Sequence, residues 1–175
     1  MKKIIAFAGS TSSTSINKQL ATYASTLVES TEITIVDMKD YTATLYSSDE
    51  EQKGFPKNLV AFSEELKSYD GFIISLAEHN GSYAAAFKNT LDWLSRINRN
   101  IFNEKPVLLM ATSPGDRGCA SGLDSAVAYF PHAGASKVIR FLLPKFYENF
   151  TDGKITNEEL KNALKNSVLE VQESI

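Results

Sequence analysis

The chain has 175 residues, a length that suits one domain with a sizeable core. Hydrophobic residues at 43% and charged residues at 22% give a globular balance, while a net charge of −3 with scattered lysines excludes an electrostatic nucleic-acid binder. No run approaches the roughly 20 apolar residues of a membrane span, and a single Cys119 excludes an internal disulfide, which fits a reducing cytoplasm.

Met1-Lys2-Lys3 precedes the short apolar run Ile4 to Ala8, too short for a signal-peptide core, so it reads as a first strand. Gly9 to Ser15 follows, small and rich in hydroxyls, and opens a helix whose face is Ile16, Leu20, Tyr23, Leu27 and Val28. Bare amides and hydroxyls at a helix N-terminus are built to hold a phosphate. Ile33 to Val36 is a second strand, and the polar, acidic Tyr41 to Lys57 is predicted to be a long irregular connection, a mobile flap. Pro56, at a first helical position, begins a helix carrying Leu59, Phe62, Leu66 and Tyr69.

Phe72 to Leu76 is a third strand, and Ala77-Glu78-His79-Asn80-Gly81-Ser82 comes after it. Asn-Gly favours positive φ, and with no strand pattern directly behind it this stretch reads as a strand-to-helix turn rather than a hairpin. Phe87, Leu91 and Leu94 mark a third helix, with Trp93 off that stripe and so either partly buried or part of a subunit interface. Val107 to Ala111 is a fourth strand, Thr112 to Gly118 a third loop, Leu123 to Tyr129 a weaker helix, and Val138 to Leu143 a fifth strand. The last helix shows a capping box, Thr156 with Glu159, a staple of Ile155 with Leu160, and a stripe of Leu160, Leu164, Val168 and Val171.

Strand-length apolar runs alternating with helical periods predict a single α/β domain over residues 1–175, a parallel sheet with helices on both faces. Ligands of such sheets bind outside the carboxyl ends of the strands, so the three loops converge on one crevice if the strand order is 2-1-3-4-5. A nucleophile elbow and a Walker loop are both absent, which leaves hydrolase and NTPase readings weak. His79 and His132 have no metal-ligand spacing, and His132 reads as structural; Cys119 reads as a bystander thiol.

Three motifs carry a resemblance. Gly9-Ser10 with Ser15-Ile16-Asn17-Lys18-Gln19-Leu20-Ala21 is similar to the G-S-x-R-x-x-S-x-N-x-x-L-A signature of the NAD(P)H-dependent FMN reductases. Glu78-His79-Asn80-Gly81-Ser82 with Lys88-Asn89-Thr90-Leu91-Asp92-Trp93 resembles their P-E-Y-N-G-S…L-K-N-A-[IL]-D-W motif, and Thr112-Ser113-Pro114-Gly115 with Gly118 resembles their S-x-G-x-x-G loop.

The resemblance implies a flavodoxin-like three-layer sandwich, FMN as cofactor, NAD(P)H as hydride donor, and a quinone, free flavin or similar small acceptor. It further implies a cytoplasmic homodimer or higher homo-oligomer, with no membrane and no nucleic acid among its partners. Gly9, Ser10, Ser12, Ser15, Ile16 and Asn17 would surround the phosphate, with Ser10, Ser15 and Asn17 contributing side chains. Ala77, Glu78, His79, Asn80 and Gly81 would border the flavin ring, and Ser113, Pro114, Gly115 and Gly118 would line the opposite wall.

Departures from the pattern are Ser12 in place of arginine, Ala77 and Ala84 in place of prolines, which would loosen the second loop, and His79 in place of tyrosine. An imidazole can change charge near neutral pH, which makes His79 the candidate catalytic residue. A flavodoxin-type electron carrier and a flavin-free regulatory relative are the alternatives.

Overall fold

A computed structural model describes all of residues 1–175. Five parallel strands form the central sheet in the order β2-β1-β3-β6-β7: β1 Lys3–Gly9, β2 Glu32–Ile35, β3 Gly71–Leu76, β6 Lys105–Thr112 and β7 Ala135–Leu143. Counting only these five, the order is 2-1-3-4-5, the flavodoxin-like arrangement. Two small antiparallel hairpins sit outside the sheet, β4 Glu78–His79 with β5 Ser82–Tyr83, and β8 Phe150–Thr151 with β9 Lys154–Ile155.

Successive strand residues point to opposite faces, so the apolar strands feed two cores at once. Ile5, Phe7, Phe72, Ile74, Val107 and Leu109 pack under α3 Lys57–Leu66, α4 Ala85–Ile97 and α5 Ala120–Tyr129. Ile4, Ala6, Ile73, Leu108 and Met110 pack under α1 Ile16–Thr26 and α7 Glu158–Glu173. The two edge strands depart from full burial: β2, with Ile35 46% exposed, and β7, where Ser136, Lys137 and Arg140 are exposed. The remaining short helices are α2 Ser48–Gln52 and α6 Phe146–Asn149, and no helix is long and apolar enough to cross a membrane.

Four expectations change. Tyr41 to Lys57 is a strap tied to α4 rather than a mobile flap. Asn89 accepts from the Tyr46 amide at 2.8 Å and donates to the carbonyls of Ala43 and Thr44, and the Trp93 indole donates to Thr44 at 2.8 Å. Trp93 is 1% exposed, enclosed by Tyr46 and Phe55, so it offers no surface to a partner subunit. The cap of α7 is Asn157, whose side chain accepts from the Leu160 amide at 3.1 Å, one residue beyond Thr156. Lastly, Asn80-Gly81 does form a hairpin. Both residues have positive φ, 55° and 78°, as a two-residue type I′ connection requires, and β4 and β5 are too short to leave an alternating pattern in the sequence.

Candidate functional site

The crevice lies where β1, β3 and β6 end. Each loop is held by its neighbours through one buried side chain. Asn17, 3% exposed in the first turn of α1, accepts from the Thr112 amide at 3.1 Å and donates to the Thr112 carbonyl at 3.1 Å. Its oxygen also accepts from the Ser75 hydroxyl at 2.8 Å. Thr112 in turn donates its hydroxyl to the Leu143 carbonyl at 2.7 Å, which joins the end of β6 to that of β7. The Asn17 side chain thus ties the first loop to the third through both its oxygen and its nitrogen, a framework role that its second Nδ2 hydrogen and its backbone amide leave compatible with the expected phosphate contact.

The first loop presents donors. The amides of Ser10, Thr11, Ser13, Ile16 and Asn17 form no hydrogen bond within the chain, while those of Ser12, Thr14 and Lys18 are taken by Ser10, Ser12 and Ser15 side chains. Ser15 caps α1 and accepts from the Lys18 amide at 3.2 Å. Lys18 is itself paired with Asp37 at 2.5 Å, a hydrogen bond that holds the Asp37 carboxyl below its ordinary range.

The second loop is anchored at both ends. The Ala84 amide donates to the Ala77 carbonyl at 2.9 Å, a bond that a proline at position 84 would lack, so alanine here ties the loop rather than loosening it. The Glu78 carboxylate accepts from the Gly122 amide at 2.7 Å, which serves the first turn of α5. That helix has no cap of its own, because Cys119 precedes it in a left-handed conformation and donates its thiol to the Thr112 carbonyl at 3.0 Å. Burial pushes the Cys119 thiol above its ordinary range, which keeps it protonated and a donor. Gly118 before it also has positive φ, and a Cβ there would lie 3.1 Å from the backbone of Pro144.

The crevice is a cavity of about 250 Å³ lined by Ser10, Ser12, Thr14, Ser15, Ile16, Asn17, Ala77, Glu78, His79, Thr112, Ser113, Pro114, Cys119 and Tyr147. Most of the residues named from sequence meet here. Gly9, Asn80, Gly81, Gly115 and Gly118 do not line it. Gly9 instead gives room to the Phe87 ring, 3.0 Å from where a Cβ would stand, and Gly115 supplies a carbonyl to the Lys145 amide at 3.0 Å. Asn80 and Gly81 form the exposed hairpin tip beside His79, with their own amides unpartnered. Thr14, Thr112, Cys119 and Tyr147 are additions. Tyr147 was missed because it follows the fifth strand; the clue available was that this strand, being parallel, also ends at the crevice edge.

Free amides in a hydroxyl loop at the head of an eleven-residue helix fit a phosphate group. Beside them, Ala77 to His79 and Thr112 to Pro114 line the rest of the crevice, the place that a flavin ring would take. The residues present thus fit FMN.

A profile of the NADPH-dependent FMN reductase family matches residues 2–146. Over 77 residues the chain is 38% identical to a quinone reductase of Escherichia coli (strain K12), and that stretch covers 43% of this chain and 41% of the relative. It is 34% identical over 76 residues to an NAD(P)H-dependent FMN reductase of Pseudomonas aeruginosa, with the same coverage of 43% and 41%. The matched stretch therefore spans less than half the length of these relatives. In three dimensions the chain superposes on a flavoenzyme NAD(P)H:(acceptor) oxidoreductase from Paracoccus denitrificans with a TM-score of 0.75, 22% identity and 99% of both chains covered.

Proposed function

The chain belongs to the NADPH-dependent FMN reductase family, and from that premise we propose that it is an FMN-dependent oxidoreductase. On this reading it takes hydride from NAD(P)H and reduces a quinone, a free flavin or a similar small acceptor. The observation that carries the reading is the unpartnered amide cluster at the head of α1, facing a crevice walled by the loops after β3 and β6.

Bound FMN would supply the redox chemistry, so the chain's own task is position and electrostatics. Ser10, Ser12 and Thr14 offer hydroxyls to the phosphate, beside the amides of Ser13, Ile16 and Asn17. The Asn80 and Gly81 amides at the hairpin tip are free donors for a carbonyl edge on which negative charge grows during reduction, the logic of an oxyanion hole. His79, exposed at the crevice wall, is positioned as proton donor to the reduced acceptor. In that role His79→Tyr is expected to slow acceptor reduction by pre-reduced enzyme, read by rapid mixing, while flavin stays bound.

As part of the same reading the protein works in the cytoplasm on small molecules and assembles as a homodimer or higher homo-oligomer. Support for assembly rests on α5, where Val127 and Tyr129 are only partly covered, since Trp93 is enclosed. A monomer by light scattering at micromolar concentration removes that element alone.

The absorption spectrum of the purified protein tests the central claim. Yellow protein that releases FMN on denaturation and bleaches with NAD(P)H is the expected result. Colourless protein that also refuses added FMN defeats the reading, and yellow protein that NAD(P)H cannot bleach turns it into an electron carrier.

A further inference from the structure

The crevice contains no lysine or arginine among its lining residues. The cations flanking it are already engaged. Lys18 pairs with Asp37 at 2.5 Å, Lys145 with Asp116 at 3.2 Å, and Arg117 donates to the Ser121 hydroxyl at 2.7 Å. Where the resembled signature has an arginine, Ser12 stands, and it hydrogen-bonds within its own loop, to the Thr14 amide and hydroxyl. The positive charge expected on a phosphate is therefore absent from this loop and from the residues that line the crevice.

A fourth loop does reach the crevice. After β7 the chain folds back on the third loop, with the Lys145 amide donating to Gly115 and the Phe146 amide to Ser113, both at 3.0 Å. Phe146 is buried and stacked on Phe150 at 4.7 Å, so the segment is anchored at its base. Gly153, in the following hairpin, borders a second groove of about 320 Å³ together with Ser13, Thr14, Ser15 and Lys18. The fourth loop thus runs from the third loop to the phosphate loop. Tyr147 lies between those two anchor points, lines the crevice, is 70% exposed, and has a hydroxyl with no partner in the chain.

We propose that this protein holds its ligand's phosphate in a cradle of uncharged donors, closed from the fourth loop by the Tyr147 hydroxyl, which takes the place of the missing arginine. The inference rests on the flavin reading above and deepens it: Tyr147 sets the preference for a phosphorylated flavin over an unphosphorylated one. Neutral donors aimed at a dianion also carry little long-range attraction, so binding is nearly indifferent to salt.

The test is titration calorimetry of flavin-stripped protein with FMN and with riboflavin. Tyr147→Phe keeps the ring, sits on the surface and leaves the fold intact. It is expected to weaken FMN binding about tenfold, the loss of one hydrogen bond to a charged group, with riboflavin binding unchanged. Between about 20 mM and about 500 mM salt, wild-type FMN affinity is expected to change by less than about twofold. Unaltered FMN affinity in the variant, an equal loss for both flavins, or steep weakening with salt each overturns the proposal. Wild-type protein that binds neither flavin overturns the flavin reading itself and this inference with it. Equal wild-type affinity for the two flavins overturns the cradle while the ring site stands.

Discussion

Asn17 shows how a signature residue can serve the framework of a site. Its side chain meets Thr112 twice and Ser75 once, all buried, so it fixes the relative heights of the three loops. Asn17→Ala strands the Thr112 amide and the Ser75 hydroxyl away from water, at a cost of about 2–3 kcal/mol in stability. Ser10→Ala removes a part-exposed hydroxyl whose one internal bond goes to the Ser12 amide, and costs less than about 1 kcal/mol in stability. Urea unfolding beside flavin titration separates the two: Asn17→Ala is expected to lose stability and flavin affinity together, Ser10→Ala affinity alone. Small-residue spacing in the sequence pointed to a phosphate loop, but it could not reveal which polar groups face inward. That depends on a partner 95 residues away. Ala84 makes the same point, since the bond that its amide gives to Ala77 becomes visible only once the hairpin between them has closed.

The regular elements were legible because their signal is periodic. All five sheet strands coincide with the apolar runs, and α1, α3, α4 and α7 carry the stripes that mark them. Illegible were elements too short to have a period, β4 and β5 above all, and the strap, whose order comes from α4 and not from its own polar composition. Asn89 is the fastener. Asn89→Ala removes three hydrogen bonds to residues 43, 44 and 46 and is expected to cost about 2–3 kcal/mol. The strap should then exchange its amide hydrogens faster, and Trp93 emission should shift to the red, while flavin affinity stays unchanged because the strap lies on α4, away from the crevice. The cap of α7 gives a sharper comparison within two adjacent residues. Asn157→Ala is expected to lower stability by about 1 kcal/mol and Thr156→Ala to leave it within error, as thermal unfolding will show.

Taken whole, the molecule is a sheet whose two faces are sealed and whose one polar edge is the crevice, and its charges lie around that body in exposed pairs of small individual worth. Asp37 and Asp70 differ from those pairs because each carboxylate accepts a backbone hydrogen bond as well as facing a lysine. The Lys18 hydrogen bond is the main cause of the lowered Asp37 carboxyl, and the Lys3 amide, donating at 2.9 Å, is the main cause for Asp70. Both folded values lie below the ordinary 3.8, so the stability that these groups contribute is complete above that value and lost as pH falls through the lower folded values. Asp70 also sits where β1 and β3 begin side by side, its own amide donating to the Lys3 carbonyl at 2.7 Å. Asp70→Asn is therefore expected to cost about 1 kcal/mol near neutral pH. The gap between variant and wild type should close as the solution is acidified, because the protonated wild-type carboxyl loses the same advantage. Denaturant unfolding from about pH 6 to about pH 2.5 measures it. A gap that stays constant over that range would mean that the Lys3 contact stabilises equally with a neutral partner, and that the carboxylate's charge does not hold the start of the sheet.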